Sequence, residues 1–89
     1  MQPFFFSTTR TFNGVQLENV DLPPEWGVTA QKSNVLAAAT QLDGTGSPFT
    51  VDASIEILNI APAENGAKVN VNVLWNSPIL FRLALVVWP

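Results

Sequence analysis

The side chains most often used for catalysis and metal binding are missing from this chain. It has 89 residues and contains neither histidine nor cysteine, so chemistry would have to rest on carboxylates, lysine, serine or threonine. Asp52 and Glu56 share one face of a predicted strand, but at i and i+4 they lie too far apart to share a proton. Asp43 and Asp52 lack the spacing of a calcium loop. The sequence therefore predicts no catalytic residue, no metal site and no cofactor, and a protein that is not an enzyme.

One glycine-rich segment comes closest to a catalytic motif. Asp43-Gly44-Thr45-Gly46 is similar to the Asp-Thr-Gly motif of small dimeric aspartic proteases, which are also rich in β-structure. Gly44 interrupts that motif, and the rest of the family's pattern is missing. No Gly-Lys-Ser or Gly-Lys-Thr follows, so a phosphate-binding loop is not indicated either. The segment is predicted to be a turn.

Composition separates this chain from most small soluble domains. Hydrophobic residues make up 47% of it and charged residues 12%, about half of the usual ~25%. Such a composition excludes intrinsic disorder, which needs low hydrophobicity and high charge. It also leaves few charges to cover the surface of a monomer. We therefore expect neighbouring subunits to cover part of the surface.

Charge and hydropathy exclude several partners. The formal net charge is -3, and the four basic residues are scattered along the chain, which indicates no nucleic-acid partner. They are Arg10, Lys32, Lys68 and Arg82. The sequence MQPFFFSTTR lacks the basic region of a signal peptide, and no stretch approaches the ~20 apolar residues of a membrane span. No membrane partner is expected, and from these features alone the expected location is the cytoplasm.

The first half of the chain is predicted to form short strands, with one segment whose pattern fits either a strand or a helix. Segment 4–12 is rich in aromatic and β-branched residues, and segment 15–20 alternates with period two. Between them lies Asn13-Gly14, the strongest short signal for a β-hairpin. In the second of these segments Val15 and Leu17 lie on one face, and Gln16 and Glu18 on the other. A short strand is predicted at 28–31. Segment 34–42 is predicted as a strand because its surroundings have period two; the alternative is a short helix.

The second half shows a clearer alternation. In 49–60 the apolar positions include Ile55 and Ile57, and the pattern changes after Ile57, which predicts a β-bulge or a sheet crossing. A longer turn is expected at 61–67. The next run, 69–75, places Trp75 on the apolar row of a core strand. Together these signals predict one all-β domain over 1–89: an antiparallel sandwich or jelly-roll-like barrel of about 6–8 short strands.

The final run, 79–88, is apolar on both faces. Its odd positions suit the core, whereas four even positions would be exposed in an isolated sandwich. These are Leu80, Ala84, Val86 and Trp88. We predict that they form an interface with a partner subunit, together with Phe5, since Phe5 and Phe6 cannot both point inward from one strand. In the alternative, the run is the central strand of its sheet and residues 4–6 fold over it. A partner interface and this arrangement are compatible with each other.

Two classes of function remain after these exclusions. In size, all-β patterning, absent cysteine and missing catalytic groups, the chain resembles the decoration (cement) and spike proteins of bacteriophage heads. That resemblance implies a structural virion protein that associates with itself, a trimer being the first expectation, and with a major capsid or other virion protein. The alternative is a small carbohydrate-binding, lectin-like module, in which Trp26 provides the ligand or partner contact.

Overall fold

A computed structural model describes residues 2–49 and 53–89 of the chain. In this part of the chain the fold is almost entirely β-structure, as predicted, with a single turn of 3-10 helix at Pro24–Trp26. The strands are β1 (Phe4–Phe12), β2 (Gly14–Asp21), β3 (Asn34–Gln41), β4 (Ser54–Ala63), β5 (Gly66–Leu74) and β6 (Ile79–Trp88). Within residues 2–49 and 53–89, no helix has the length and apolar character needed to cross a membrane.

The strands form two three-stranded antiparallel sheets that pack face to face. Sheet A has the order β1-β6-β3, and sheet B has the order β2-β5-β4. Each central strand supplies a buried row to the core: Ile79, Phe81, Leu83, Leu85 and Val87 from β6, and Ala67, Val69, Val71 and Val73 from β5. The predicted β-sandwich is confirmed, and so is the inward orientation of the odd positions of the final strand.

The ambiguous segment 34–42 is a strand and not a helix. β3 pairs with β6 from Asn34 opposite Trp88 to Gln41 opposite Phe81. Its inward side chains, Val35, Ala37 and Ala39, are small and pack against the core. Because they are small, β3 approaches β4 of the opposite sheet closely.

The predicted hairpin around Asn13-Gly14 is wrong. β1 pairs with β6, and β2 pairs with β5, so this turn carries the chain from one sheet to the other. Gly14 still adopts a positive φ of 78°, which an Asn-Gly turn makes easy. The local signal predicted the chain reversal correctly. Pairing was decided by the central strands, whose apolar rows offer more buried surface than β1 and β2 offer each other.

Strand β2 turns its polar row inward. Glu18 is buried, whereas Val15 and Leu17 are exposed on the outer face of sheet B. The predicted alternation is therefore present, with the apolar side facing away from the core. The inward position of Glu18 is compensated by an ion pair with Arg10 of β1, whose Nε lies 3.3 Å from Glu18 Oε1.

The predicted strand at 28–31 is a loop. The hydroxyl oxygen of Ser33 accepts a hydrogen bond from the Thr29 N–H at 2.9 Å, and Thr29 Oγ1 accepts one from the Lys32 N–H at 3.2 Å. Side chains of this kind compete with the sheet for backbone groups. Within the loop Val28 alone is fully buried in the core.

The change of pattern after Ile57 is a β-bulge, as expected. The register of β4 against β5 shifts between Ile57 and Asn59, so Leu58 points to solvent and Ile60 returns to the core. The following turn consists of residues 64–65 and is shorter than the predicted 61–67. Asp52, considered above as a partner for Glu56 or Asp43, lies outside the described residues.

Candidate functional site: the outer face of sheet A

The outer face of sheet A consists of three rows of side chains that run across its strands. Strand registers align one residue each from β1, β6 and β3 in every row. We name them the large row (Phe5, Val86, Leu36), the small row (Ser7, Ala84, Ala38) and the arginine row (Thr9, Arg82, Thr40). Beyond them lie Trp88 opposite Asn34 at one end, and Leu80 opposite Thr11 at the other.

The large row holds the most exposed apolar side chains of this face. Phe5 is 74% exposed and Leu36 is 60% exposed, on either side of the half-buried Val86. Exposed single apolar residues are common on proteins, but three that adjoin in one row form a patch of the kind that marks interaction sites.

The small row forms a depression beside the large row. A shallow cavity of about 210 Å³ is lined by Phe5, Phe6, Ser7, Ala84, Leu85 and Val86. Because the row of serine and alanine adjoins the row of phenylalanine, valine and leucine, the large row stands as a ridge beside the trough of the small row. The face is therefore shaped to receive a second apolar ridge.

Charge distinguishes this face from the opposite one. Among residues 2–49 and 53–89, Arg82 is the only charged residue on the outer face of sheet A. The outer face of sheet B also exposes aliphatic residues such as Leu17, but they lie among charged and amide side chains. On that face the Asn72 amide donates to Glu56 Oε1 at 3.2 Å. Sheet B therefore presents the better hydrated surface.

All five residues predicted as an interface lie on the outer face of sheet A. They are Phe5, Leu80, Ala84, Val86 and Trp88. β6 is central in its sheet, and residues 4–6 lie beside it as part of β1 instead of folding over it. Sequence reasoning missed Leu36 and Ala38 because segment 34–42 was ambiguous. Once that segment is a strand, its period-two pattern places both on the face opposite Val35.

Trp26 closes one end of the sandwich. Its ring stacks on Phe4 with centroids 4.6 Å apart and an interplanar angle of 8°, and it meets Phe6 edge-on at 6.3 Å. The side chain is half-buried and packs against the core. One face of the indole is therefore already covered by Phe4.

Trp75, predicted to complete the core row of its strand, is exposed instead. β5 ends at Leu74, and the Trp75 N–H turns back to donate to the Val73 carbonyl at 3.0 Å. The side chain therefore leaves the alternation that Val69, Val71 and Val73 follow.

A polar cluster lies between the sheets on the β1–β2 side. Gln16 donates to Glu18 Oε2 at 3.3 Å. Arg10 Nη1 donates to Thr8 Oγ1 at 2.9 Å and to the Thr9 carbonyl at 3.0 Å. Charged side chains that point inward from an edge strand protect the sheet from pairing with other chains. The cluster therefore closes this side of the sandwich.

The Asp43 loop is a turn, as predicted. Asp43 Oδ1 accepts hydrogen bonds from the Thr45 hydroxyl at 2.6 Å, the Thr45 N–H at 2.8 Å and the Ser47 N–H at 3.0 Å. The hydroxyl of Thr45, then the backbone N–H groups of Ser47 and Thr45, hold the pKa of this carboxyl below its usual value. A general acid needs the opposite shift. Among the described residues no three His, Cys, Asp or Glu side chains are grouped to hold a metal ion.

Comparison with known proteins identifies no relative of this chain. No protein-family model, curated protein or solved structure shows significant similarity to this chain.

Proposed function

We propose that this protein is a non-enzymatic structural protein that associates with itself through the outer face of sheet A. The observation that carries the proposal is the large row, in which Phe5 and Leu36 are mostly exposed on a face whose single charge, among the described residues, is Arg82. Removing such side chains from water is favourable by about 25 cal/mol per Å². Association is the direct way to gain this free energy.

The dimensions of the face indicate how strong one contact is. Three strands spaced ~4.8 Å apart, each about nine residues long at ~3.3 Å per residue, give a flat footprint of roughly 430 Å². Stable interfaces use about 800 Å² of accessible surface on each partner. A single contact through this face is therefore weak to moderate. Assemblies in which many copies are held side by side suit such a contact better than a free, tight complex.

A virion is the setting we propose for this assembly, with the protein decorating a capsid in the manner of a cement protein. The two outer faces support this: sheet A offers an apolar surface for a second copy of the chain, and sheet B carries the polar groups that a capsid protein or solvent would meet. A major capsid gene beside the gene for this chain, and co-sedimentation with the capsid protein it encodes, are the expected results. Failure to co-sediment would contradict the capsid partner.

A charge placed in the large row tests self-association directly. Leu36→Glu should abolish it, because a carboxylate would lose its hydration in an apolar contact. Leu17→Glu is the matched control: Leu17 is 53% exposed, on an edge strand of the opposite sheet, and should leave association unchanged. Sedimentation equilibrium from about 5 μM to 1 mM covers the affinities expected for such a contact. Equal effects of the two substitutions would contradict the assignment of the face.

The alternative, a carbohydrate-binding module that uses Trp26, has less support because Phe4 already covers one face of the ring. A glycan array with the wild-type chain and Trp26→Ala tests it. Binding that is lost in Trp26→Ala and kept in Leu36→Glu would establish this alternative.

A further inference from the structure

We propose that two copies of this chain pack sheet A against sheet A about a two-fold axis at the level of Leu85, so that each large row fills the small row of the other copy. The inference rests on the proposed self-association and adds its geometry. The axis lies between the two sheets and perpendicular to their strands, so that each strand faces its own counterpart in antiparallel orientation. A self-complementary contact of this kind is what two-fold symmetry requires.

The side-chain sizes match in all three strands. In this arrangement Phe5 lies on Ser7 of the second copy, Val86 on Ala84, and Leu36 on Ala38, and the reverse contacts follow by symmetry. The cavity of about 210 Å³ beside Phe5 lies in the small row that receives the ridge. Sheets that pack face to face cross at about -30°, so the match is closest along β6, in the middle of the face.

Arg82, the one charge on this face among the described residues, helps to distinguish three possible registers. With the axis at Leu85, Arg82 lies over Trp88 of the second copy, and a guanidinium over an indole ring is attractive. An axis at the level of Arg82 would oppose two guanidinium groups. An axis at the level of Val86 would set large row on large row, hold the sheets apart and leave the small rows unfilled. Charge and shape therefore favour the same register.

The partner in this arrangement is a second copy and not another protein, because the complementary features all occur on one face. The outer face of sheet B has a depression of about 220 Å³ that is lined by polar side chains together with Leu17 and Ala61, and these polar groups would lose hydration beneath an apolar row. Those polar groups are Asn59, Lys68 and Asn70.

Exchanging the β1 residues of the large row and the small row, Phe5 and Ser7, tests the register. Ser7→Phe alone should raise the dissociation constant at least about tenfold, because the introduced ring would meet Phe5 of the second copy. Phe5→Ser alone should also weaken the dimer, because it removes the ridge. The double variant Phe5→Ser/Ser7→Phe restores large on small and should return the constant to within about threefold of wild type. Both residues are exposed on an edge strand, and thermal unfolding of each variant checks that the fold is intact.

A double-mutant cycle tests the second contact. Arg82→Ala and Trp88→Ala should each weaken the dimer, and the double variant should lose little more than the stronger single effect, because both remove the same pair. Losses that simply add would overturn the register, since the two side chains would then not meet.

The remaining outcomes distinguish a failure of the two-fold packing from a failure of self-association. A wild-type chain that stays a monomer to 1 mM would overturn both the two-fold packing and the self-association. Association to a mass of three chains, or a ridge-and-trough exchange that fails to restore affinity in a folded variant, would overturn the two-fold packing and leave self-association standing.

Discussion

At the scale of single residues, Gly66 lies where strand β5 comes very close to the backbone of strand β2. A Cβ built on Gly66 would lie 2.6 Å from the carbonyl oxygen of Val20 in the paired strand β2. Real Cβ atoms essentially never come this near to backbone oxygen, so any other residue forces β2 and β5 apart. The glycine is required for space and not for an unusual φ angle.

Gly66→Ala should therefore destabilise the fold by about 1–3 kcal/mol, the usual cost of overpacking. Gly44→Ala is the control, because nothing lies within 4 Å of its added Cβ; it should leave stability unchanged or raise it by up to about 1 kcal/mol. Urea unfolding followed by tryptophan fluorescence measures both. Equal midpoints for the two variants would contradict the close approach at Gly66.

The ion pair between Arg10 and Glu18 gives a second prediction at this scale. The Glu18 side chain is 10% exposed and that of Arg10 29%, so removing one partner leaves the other poorly hydrated. Arg10→Met should destabilise the fold by about 1–3 kcal/mol. Arg10→Met/Glu18→Met should recover much of this loss, because two apolar side chains need no partner. Thermal unfolding measures both variants, and a single variant as stable as wild type would show that the pair contributes nothing.

At the scale of elements, β6 holds the molecule together. It pairs with β1 on one side and with β3 on the other, and its inward row is buried along its whole length. The strand is apolar on both faces, but the two faces differ in role. One belongs to the core, and the other, half-buried by β1 and β3, forms the middle of the candidate interface.

Deleting residues 85–89 should abolish folding. The deletion removes Leu85 and Val87 from the core, each worth about 1.5–3 kcal/mol when buried. It also removes the partners of residues 4–6 and 34–37. The stability of a whole domain is only about 5–15 kcal/mol. Deleting Pro89 alone, which follows β6, should leave the thermal midpoint almost unchanged. A cooperative transition for the longer deletion at the wild-type temperature would contradict this account.

At the scale of the whole molecule, the sandwich has two unlike outer faces. Since the face proposed for association carries one charge among the described residues, its contacts are mainly apolar. Apolar contacts are not weakened by screening, and sulfate strengthens them. The net charge of -3 adds a mild repulsion between copies, which salt reduces.

Raising sodium chloride from about 50 mM to 500 mM should therefore leave the dissociation constant unchanged or lower it. Sedimentation equilibrium at both concentrations measures this, and low urea, which weakens apolar association, is the control. A dissociation constant that rises about tenfold with salt would indicate ion pairs, and would direct attention to the charged face of sheet B.

Local pattern accounts for much of the fold and of the candidate site. The period-two alternation of 79–88 identified both its core row and the row that carries Leu80, Ala84, Val86 and Trp88, because side chains of a strand must alternate between faces. The same property predicted a β-bulge or a sheet crossing after Ile57, and the structure has the bulge. Leu36 escaped notice since an alanine-rich segment is compatible with either helix or strand, and only a paired neighbour decides between them.

From the amino-acid order alone it follows that the chain is an all-β sandwich or barrel, which residues of a strand share a face, and which catalytic side chains are missing. These properties depend on composition and on geometry within a strand. Which strands pair, that β1 and β2 belong to different sheets, and that Phe5, Val86 and Leu36 form one row became known from the three-dimensional arrangement. The difference arises because burial of apolar surface is non-directional. Strands pair in the combination that removes the most apolar surface from water in the assembled sheets. Residues far apart in the chain contribute to that buried surface.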